Sequence, residues 1–260
     1  MSIEIHSTAV VGRDVRIADG VVIGPHVVVG DGVSLGEGTR LVASCVVLGP
    51  TVLGARNVVH PFAVLGAEPQ DRSHAGEPTE LVVGDDNVFR EHVTVHRGTK
   101  KDRGLTRIGS SCLFMVGSHV AHDAVVGDGV TLTNGALLGG HVHVGDHAVI
   151  GGGAAIAPFV RIGESAFIAG GAMVERDVPP FVIAQGDRAR VRALNVVGLK
   201  RRGIPEASRR ALAKAFRLLY GAKTPKCSAL DVVRAELGAD PYVARLVAFV
   251  DEVVPPNGGT

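Results

Sequence analysis

Five residues in the middle of the chain have side chains that could do acid/base or metal chemistry. They are four histidines and an aspartate, namely His96, His119, His122, Asp123 and His141. An imidazole that titrates near neutral pH can take a proton from an alcohol, while a neighbouring carboxylate fixes its tautomer. The same residue types are common zinc ligands. Either chemistry requires a fold that brings these distant positions together.

A six-residue repeat indicates the elements that position them. From Ile108 to Val174 an aliphatic or aromatic residue recurs at every sixth position, and the same repeat runs from Val11 to Leu65. This period fits neither an α-helix nor an ordinary strand. It is typical of a parallel β-helix, in which three hexapeptides form the three sides of a coil of about 18 residues. The sequence therefore predicts a mainly β fold, a hexapeptide-repeat column that begins near residue 10 and stops at Pro179-Pro180, which cannot donate ladder hydrogen bonds.

Two polar segments interrupt the repeat, and we expect them to form external loops at about 67–80 and 97–107. The first should remove one coil's worth of chain from the column. The second should add seven residues, because Ile108 follows Val95 by 13 positions instead of six. Glycines that follow the repeat residue, such as Gly145, suggest tight corners with positive φ.

The periodicity changes to helical in the last part of the chain. We therefore expect a β-helix over residues 1–187 and a small α-helical subdomain over residues 188–260. One helix should run from Pro205 to Tyr220, and Ser228 and Asp240 should cap two more. The subdomain would cover the open end of the column.

Composition limits the class of protein. The chain has 260 residues, of which 46% are hydrophobic and only 4% aromatic, and its net charge is +1. Its three scattered cysteines suggest no disulfide framework and fit a reducing cytoplasm. The N-terminus has no basic region followed by an apolar run, and no uninterrupted apolar stretch approaches the length of a membrane span. We expect a soluble, cytoplasmic protein.

The coil length of about 18 residues predicts which side chains lie close together. Residues one coil apart should stack about 4.8 Å from each other, so His122 should lie beside Gly140 and Asp123 beside His141. When the seven extra residues of the second loop are subtracted, His96 should lie at the same edge of the column, one coil below His122. Three interpretations remain open for this cluster: exposed corner histidines without a function, a zinc site like that of hexapeptide carbonic anhydrases, or an acid/base site.

Several short strings are more specific than the repeat, namely Ala75-Gly76-Glu77-Pro78-Thr79, His96-Arg97-Gly98-Thr99, His119-Val120-Ala121-His122-Asp123, Gly140-His141-Val142 and Gly198-Leu199-Lys200-Arg201-Arg202-Gly203. With them the chain resembles one family over nearly its whole length, the acyl-[acyl-carrier-protein]:UDP-N-acetylglucosamine O-acyltransferases of lipid A biosynthesis. The six-residue repeat alone is shared by many protein families, whereas these strings together are much more specific to this family.

The resemblance implies a cytoplasmic homotrimer of left-handed β-helices, with active sites between subunits and no metal cofactor. It implies transfer of a 3-hydroxyacyl group from the phosphopantetheine of acyl carrier protein to the 3-hydroxyl of UDP-N-acetylglucosamine. The family's general base falls on His122, its orienting carboxylate on Asp123 and its oxyanion donor on the amide of Gly140. Substrate-binding roles fall on Gln70, Asp71, His96, His119, His141, Asn195, Arg201 and Arg202.

Two further roles concern the acyl donor. By resemblance, Gly170 and Arg188 fall at positions that set acyl-chain length, and a small residue at 170 predicts a long donor. Residues 188–217 contain ten basic residues and one acidic residue, Glu206. This segment predicts a docking surface for an acidic carrier protein, with a solvated helix face as the alternative. The candidate docking residues are Arg209, Arg210, Lys214 and Arg217.

Four positions depart from the family pattern. Ser73 replaces a common Lys, Ala157-Pro158 replaces His-Gln, and Val197 replaces an acidic residue. These changes spare the base and the oxyanion donor but remove polar groups from the nucleotide-sugar end. They leave open a modified acceptor, such as a 3-amino sugar, or a diverged paralogue. A non-catalytic trimeric scaffold that binds proteins through its basic end is a further alternative.

Overall fold

A computed structural model describes residues 2–221 and 226–253. Short parallel strands form three flat sides of a column, and helices follow at its C-terminal end. The strands are β1 (Glu4–Ile5), β2 (Val10–Val11), β3 (Arg16–Ile17), β4 (Val22–Ile23), β5 (Val28–Val29), β6 (Val33–Leu35), β7 (Arg40–Leu41), β8 (Val46–Val47), β9 (Thr51–Leu53), β10 (Val58–Val59), β11 (Val64–Ala67), β12 (Glu80–Val83), β13 (Val88–Phe89), β14 (Thr94–His96), β15 (Leu105–Ile108), β16 (Leu113–Phe114), β17 (His119–Val120), β18 (Val125–Val126), β19 (Thr131–Leu132), β20 (Leu137–Leu138), β21 (His143–Val144), β22 (Val149–Ile150), β23 (Ala155–Ile156), β24 (Arg161–Ile162), β25 (Phe167–Ile168), β26 (Met173–Val174), β27 (Val182–Gln185) and β28 (Arg190–Leu194).

As far as β26, each strand pairs in parallel with the strand three places away along the chain, and β25 also pairs with β27. The first sheet therefore runs β1-β4-β7-β10-β13-β16-β19-β22-β25-β27-β28, the second runs from β2 to β26, and the third runs from β3 to β24. Away from the loops the register is 18 residues, as in the pairing of Thr131 with Val149. The predicted left-handed parallel β-helix of hexapeptide repeats, with a small C-terminal helical part, is confirmed.

A single column of apolar side chains fills the interior. The repeat residues, such as Val120, Leu138 and Ile156, are buried and stack on one another from coil to coil. Phe89 and Phe114 are the large members of the column, and their rings stack 4.7 Å apart. Burial of this surface, at about 25 cal/mol per Å² of apolar area, holds the coils together.

The register corrects two expectations about the column. The column begins one six-residue repeat earlier than predicted, since Glu4 already pairs with Val22. Leu65 pairs with Val95, 30 residues further instead of 18, so the first loop removes twelve residues and not a whole coil. The second loop does add seven residues, because Val95 pairs with Val120. The strands leave loops at 68–79 and 97–104, slightly shorter than predicted.

The column does not stop at Pro179-Pro180. Val178 bridges Ile162, β27 continues the first sheet, and β28 folds back antiparallel on β27. The two prolines lie at a corner of the coil, where the ladder needs no amide donor from them, so they do not end the sheet. Strand β28 therefore belongs to the sheet, although the predicted boundary placed it in the helical subdomain.

Four helices close the C-terminal end: α1 (Val196–Arg201), α2 (Glu206–Tyr220), α3 (Lys226–Leu237) and α4 (Pro241–Val253). The predicted α2 is confirmed, with Pro205 as its N-cap. Asp240 caps α4, because its Oδ1 accepts the amides of Tyr242 and Val243 at 2.9 and 3.1 Å. Ser228 is not a cap, since it lies inside α3.

The helices have a small core of their own that packs on the end of the column. Phe181 and Leu194 of the last coil join the buried residues Leu212, Val233 and Leu246. The helical part therefore covers the apolar end of the column, as predicted. Among the described residues, none of the helices combines the length and apolarity needed to cross a membrane.

The glycines that follow the repeat residues are needed for space and not for positive φ. Gly145 is not among the residues with positive φ, but a Cβ atom there would lie 2.6 Å from the amide nitrogen of Glu164 in the next coil. Left-handed residues lie two positions later, as at His147 with φ of 57°. The coils approach each other too closely at the earlier position for any side chain.

This difference predicts unequal costs for the same substitution. Gly145→Asn should lower the free energy of unfolding by roughly 2–4 kcal/mol, because the new Cβ meets backbone that cannot move cheaply. Gly32→Asn should cost less than about 1 kcal/mol, because Gly32 has φ of +69°, which Asn tolerates, and open space around it. Urea unfolding at one protein concentration measures both, and equal losses would contradict the explanation.

Candidate active site

The corner between the second and third sheets brings the predicted base and the predicted oxyanion donor together. His122 lies in the turn after β17, and Gly140 lies in the turn after β20. A Cβ atom on Gly140 would lie 2.7 Å from Cε1 and 2.9 Å from Nε2 of the His122 ring. The amide of His141 donates to the carbonyl of His122 at 3.0 Å, which fixes the two turns one coil apart. The predicted stacking is confirmed.

Asp123 forms a buried dyad with His122. Its Oδ2 lies 2.8 Å from His122 Nδ1, and the side chain is fully buried. Oδ2 also accepts the hydroxyl of Thr99 at 2.7 Å, and Oδ1 accepts the Thr99 amide at 2.8 Å. Since a carboxylate accepts, His122 Nδ1 carries the proton in this pair. The other ring nitrogen, Nε2, is then left with a lone pair that can take a proton.

The amide of Gly140 is available to a ligand. Its neighbours are engaged, since Gly139 N–H donates to Ile156 and His141 N–H donates to His122. Within residues 2–221 and 226–253, no acceptor binds the N–H of Gly140, although the residue is buried. The amide of His122, at the equivalent place one coil below, also has no acceptor among these residues, so Gly140 is set apart by its position against the His122 ring. The Gly140 amide is therefore suited to meet an oxyanion.

His96 and His119 form the floor of the site. Their rings meet edge to face with centroids 5.2 Å apart, and His119 Nδ1 lies 2.7 Å from the hydroxyl of Thr94. Burial, and then the nearby His119 and His122, lower the pKa of His96 to about 4. Burial and then His122 also lower the pKa of His119. Both imidazoles are therefore neutral hydrogen-bonding groups near pH 7.

His141 lies above the dyad and is held on two sides. Its ring stacks on Phe159 with centroids 4.5 Å apart, and its Nδ1 lies 3.3 Å from Asp102 Oδ2. The ring of His122 meets it edge to face at 5.2 Å. Sequence reasoning missed Phe159 and Asp102. Phe159 follows His141 by one coil, so the same arithmetic could have found it, whereas Asp102 lies in a loop without periodicity.

The two external loops meet beside the site. Asp71 of the first loop accepts the amide of Ser73 at 2.8 Å and the ammonium of Lys101 at 2.9 Å. The hydrogen bond from the Ser73 amide has the largest effect in lowering the pKa of Asp71, and the Lys101 ammonium lowers this pKa further. Gln70 is exposed next to it. Ser73, where the family commonly has Lys, therefore lies close to an ammonium supplied by the second loop.

Three predicted ligand residues lie together elsewhere. A cavity of about 440 Å³ is lined by Gly129, His147, Val149, Ser165, Phe167, Ile183, Asn195, Val197, Gly198, Arg201 and Arg202. Asn195 caps α1 through Gly198 N–H at 3.0 Å and donates to the carbonyl of Ser165 at 2.9 Å. Arg202 pairs with Glu164 at 2.7 Å. Within one chain this cavity shares no lining residue with the His122 site.

The residues predicted to contact the donor lie outside both places. Gly170 is exposed at a turn, with Gly152 one coil below it, and Arg188 lies in the turn before β28. The docking residues lie on or near the surface of α2. There Arg209 Nε donates to the carbonyl of Ile204 at 3.0 Å, and Lys214 pairs with Glu236 at 2.7 Å. Arg210 and Arg217 are exposed.

A metal is a poor fit to the dyad. The ligand atoms of His122, Asp123 and His141 lie within 4.8 Å of one another. Ligand atoms at about 2.1 Å from a tetrahedral zinc ion would be roughly 3.4 Å apart, whereas His122 Nδ1 and Asp123 Oδ2 are 2.8 Å apart. The same carboxylate already accepts two hydrogen bonds from Thr99. The arrangement is that of a hydrogen-bonded acid/base pair.

Comparison with known proteins identifies the family of the chain. The bacterial transferase hexapeptide family, six repeats, matches residues 8–43, and the UDP N-acetylglucosamine O-acyltransferase, domain 2, family matches residues 177–254. The chain is 51% identical to an acyl-[acyl-carrier-protein]–UDP-N-acetylglucosamine O-acyltransferase of Caulobacter vibrioides, over 95% of this chain and 94% of the relative. It is 43% identical to the protein of the same name from Thermodesulfovibrio yellowstonii, over 95% and 96% of the two chains. The crystal structure of the UDP-N-acetylglucosamine O-acyltransferase of Moraxella catarrhalis superposes with a TM-score of 0.92 at 37% identity, covering 95% of this chain and 96% of that one.

The pKa of His96 predicts a loss of stability in acid. The folded value is about 4 and the ordinary value is 6.5, so between these pH values the unfolded chain binds a proton that the folded chain does not. The free energy of unfolding should therefore fall as the pH is lowered from about 6.5 to about 4, by up to roughly 3 kcal/mol from this residue. Urea unfolding of wild type and His96→Gln at pH 7 and pH 5 measures the difference. The His96→Gln curve should be flatter, the exposed control His6→Gln should follow wild type, and parallel curves for all three would contradict the assignment.

Proposed function

The chain belongs to the family of acyl-[acyl-carrier-protein]–UDP-N-acetylglucosamine O-acyltransferases, and on this premise we propose that it transfers a 3-hydroxyacyl group from acyl carrier protein to the 3-hydroxyl of UDP-N-acetylglucosamine. This reaction is the first step of lipid A biosynthesis. The observation that carries the proposal is the position of the Gly140 amide against the ring of His122, one coil away. Among the residues that the structure describes, neither His122 Nε2 nor the Gly140 N–H has a hydrogen-bond partner.

The chemistry needs only groups that this corner supplies. His122 Nε2 takes the proton of the sugar hydroxyl as its oxygen attacks the thioester carbonyl, and the carbonyl oxygen becomes an oxyanion that Gly140 N–H meets. When the tetrahedral intermediate collapses, the carbon–sulfur bond breaks and the imidazolium returns its proton to the pantetheine sulfur. Asp123 holds the His122 ring and offsets the charge it acquires. A general base contributes about 10²–10⁴ in rate and one oxyanion donor about 10²–10³.

No step in this scheme requires a metal ion or another cofactor. The donor carries its own activated carbonyl on the phosphopantetheine of acyl carrier protein. His96 and His119, whose pKa values burial lowers, and His141 would line the acceptor and position its hydroxyls. We therefore propose that these three, with Gln70 and Asp71, bind the sugar, while Asn195, Arg201 and Arg202 bind phosphate or pantetheine groups.

The departures from the family pattern leave one alternative acceptor. Ala157-Pro158 lies against Gly139, since a Cβ on that glycine would be 2.8 Å from the nitrogen of Pro158. Neither residue offers a side-chain hydrogen bond, and Val197 brings an exposed apolar side chain to the other cavity. A 3-amino analogue of the sugar, whose amine would attack the same thioester and give an amide, is the second candidate acceptor.

A homotrimer with active sites between subunits is part of the proposal. Within one chain the His122 dyad and the Asn195–Arg202 cavity share no lining residue, and we propose that a neighbouring copy brings them together. The outer face of the second sheet is unusually apolar for a surface, with Val10, Leu137 and Met173 each more than 40% exposed. Packing copies through this face would bury it. We propose that the trimer works in the cytoplasm.

The donor would meet two further regions. Gly170 adds no side chain to an exposed turn of the column, which supports a role, together with Arg188, in accepting a long acyl chain. Helix α2 presents Arg209, Arg210, Lys214 and Arg217. It follows Arg201 and Arg202, which line the cavity of about 440 Å³, by a few residues in the sequence. A cationic helix of this kind would steer an acidic carrier protein.

Replacing the base is the direct test of the reaction. With acyl carrier thioesters as donors and UDP-N-acetylglucosamine or its 3-amino analogue as acceptor, mass spectrometry should identify an ester or an amide product. His122→Ala should lower kcat by about 10²–10⁴, whereas His6→Ala, which removes an imidazole far from the site, should keep it. A chelator should leave the rate unchanged. If His122→Ala kept most of the wild-type turnover, the assignment of the base would fail. If the wild-type protein formed no product with either acceptor, only the non-catalytic scaffold would remain.

Charge reversal on α2 tests the docking surface. Arg210→Glu with Arg217→Glu should raise the KM for the acyl carrier about tenfold or more, leave the KM for the nucleotide sugar unchanged, and weaken the salt dependence. Arg40→Glu, a reversal at an exposed position on the first sheet, serves as the matched control. An equal effect of the control, or no change in either KM, would count against docking at α2.

A further inference from the structure

Thr99 makes an unusual pair of contacts to the carboxylate that orients the base. Its amide donates to one oxygen of Asp123 at 2.8 Å and its hydroxyl donates to the other at 2.7 Å. Thr99 is itself buried, at 3% exposure. The amide of Asp123 donates to the hydroxyl of Thr106 at 2.8 Å, so the second loop and the strand that follows it, β15, both bind this one residue.

Asp123 needs such contacts if its carboxylate is to keep one orientation. The terminal torsion of an Asp side chain has broad minima, so packing alone fixes the plane of the carboxylate poorly. The hydroxyl of Thr99 occupies one lone pair of Asp123 Oδ2, which leaves the other lone pair of that oxygen for His122 Nδ1. The position of Thr99 therefore decides the orientation of the His122 ring and which of its nitrogens carries the proton.

The first loop holds the second loop in place. Glu77 pairs with Lys100 at 2.5 Å and Asp71 pairs with Lys101 at 2.9 Å, so two acidic residues of the first loop hold the two residues that follow Thr99. The amide of Glu80 also donates to the carbonyl of Gly104 at 2.7 Å. Behind Thr99 the loops enclose a cavity of about 110 Å³ lined by Ser73, His74, Glu77, Thr99, Lys100 and Lys101.

The same loop reaches the second imidazole of the site. Asp102, three residues after Thr99, lies 3.3 Å from His141 Nδ1. A displacement of the second loop would therefore disturb the contacts of Asp123 and His141 at once. A loop that only closed a gap in the column would need neither contact.

We propose that Thr99 is a positioning residue for the His122–Asp123 dyad, and that the first loop keeps it in place through the Glu77–Lys100 and Asp71–Lys101 pairs. The proposal rests on the acyl transfer proposed above, since it concerns the same base. It adds that the catalytic geometry is set by two segments outside the column. The hydroxyl of Thr99 acts through Asp123 and touches neither substrate.

Two substitutions at Thr99 separate positioning from simple packing. Thr99→Val keeps the shape and the amide donor but loses the hydroxyl, and it should lower kcat about 10- to 100-fold with the KM for both substrates within twofold of wild type. Thr99→Ser restores the donor and should return kcat to within about threefold. Thr133→Val is the matched control, because it loses a hydroxyl bond of 2.8 Å to the carbonyl of Ile150 outside the site. It should keep wild-type kcat.

A spectroscopic readout needs no turnover. In ¹⁵N-labelled wild-type protein the ring nitrogens of His122 should show one tautomer with the proton on Nδ1, whereas Thr99→Val should show a mixture of tautomers. This measurement separates the two proposals. If wild type transfers no acyl group but its His122 tautomer depends on Thr99, the function fails and the positioning survives.

A surface variant covers the case in which Thr99→Val does not fold. Lys100 is 69% exposed, so Lys100→Met can remove the ion pair with Glu77 without touching the core. It should lower kcat about two- to fivefold and shift the same His122 signals, and its effect should not add to that of Thr99→Val where both fold. Unchanged kcat and tautomer in either folded variant, a loss in KM alone, or failure of Thr99→Ser to rescue would each overturn the proposal.

Discussion

The register of the parallel ladder is the constraint on which the rest of this structure depends. Hydrogen bonds between coils turn a separation of 18 residues into neighbouring rungs, about 4.8 Å apart. A slip of one residue would send every inward side chain outward, so the apolar column permits no other register. Gly140 lies beside His122 for this reason, and the contact needs no special interaction between them. The close approach of the coils also forces glycine at positions such as Gly145, where backbone from the next coil occupies the space of a side chain.

The same constraint explains where the loops lie. Extra residues cannot remain in the column without breaking its register, so they leave it at a corner. Both loops leave at the corner between the second and third sheets, after β11 and after β14, and the turns that carry His122 and Gly140 follow at the same corner in the next two coils. The second loop therefore rises along the edge that holds the dyad, which brings Thr99 to Asp123 and Asp102 to His141. The insertions form the wall of the site because the column cannot hold them.

This division also separates what the sequence could predict from what it could not. The column, its coil length and the meeting of His122, Asp123, Gly140 and His141 all follow from a period that never changes in that region. The contacts of Thr99, Asp102 and Lys101 could not be predicted, because a loop without periodicity offers no rule for its side chains. The stop at Pro179-Pro180 was wrong for a related reason: proline disrupts a ladder only where an amide must donate, and spacing alone does not distinguish a corner from a rung. The length of the first loop was wrong because a repeat that resumes in phase can omit any whole number of hexads.

Burial then determines which imidazole of the cluster can act as the base. An imidazole that takes up a proton inside a protein needs a compensating carboxylate. Asp123 Oδ2 is 2.8 Å from His122 but 3.7 Å from His141, so it binds the first and only approaches the second. Within the described residues, neither His96 nor His119 pairs with a carboxylate, and burial lowers the pKa of both. A positive charge on either would also oppose the charge that His122 must acquire, since the interaction is mutual. His141 has a carboxylate of its own, since its Nδ1 lies 3.3 Å from Asp102 Oδ2, but Asp102 is partly exposed and the ring nearest Gly140 is that of His122. The buried Asp123 and the neighbouring Gly140 amide therefore together favour His122 as the base.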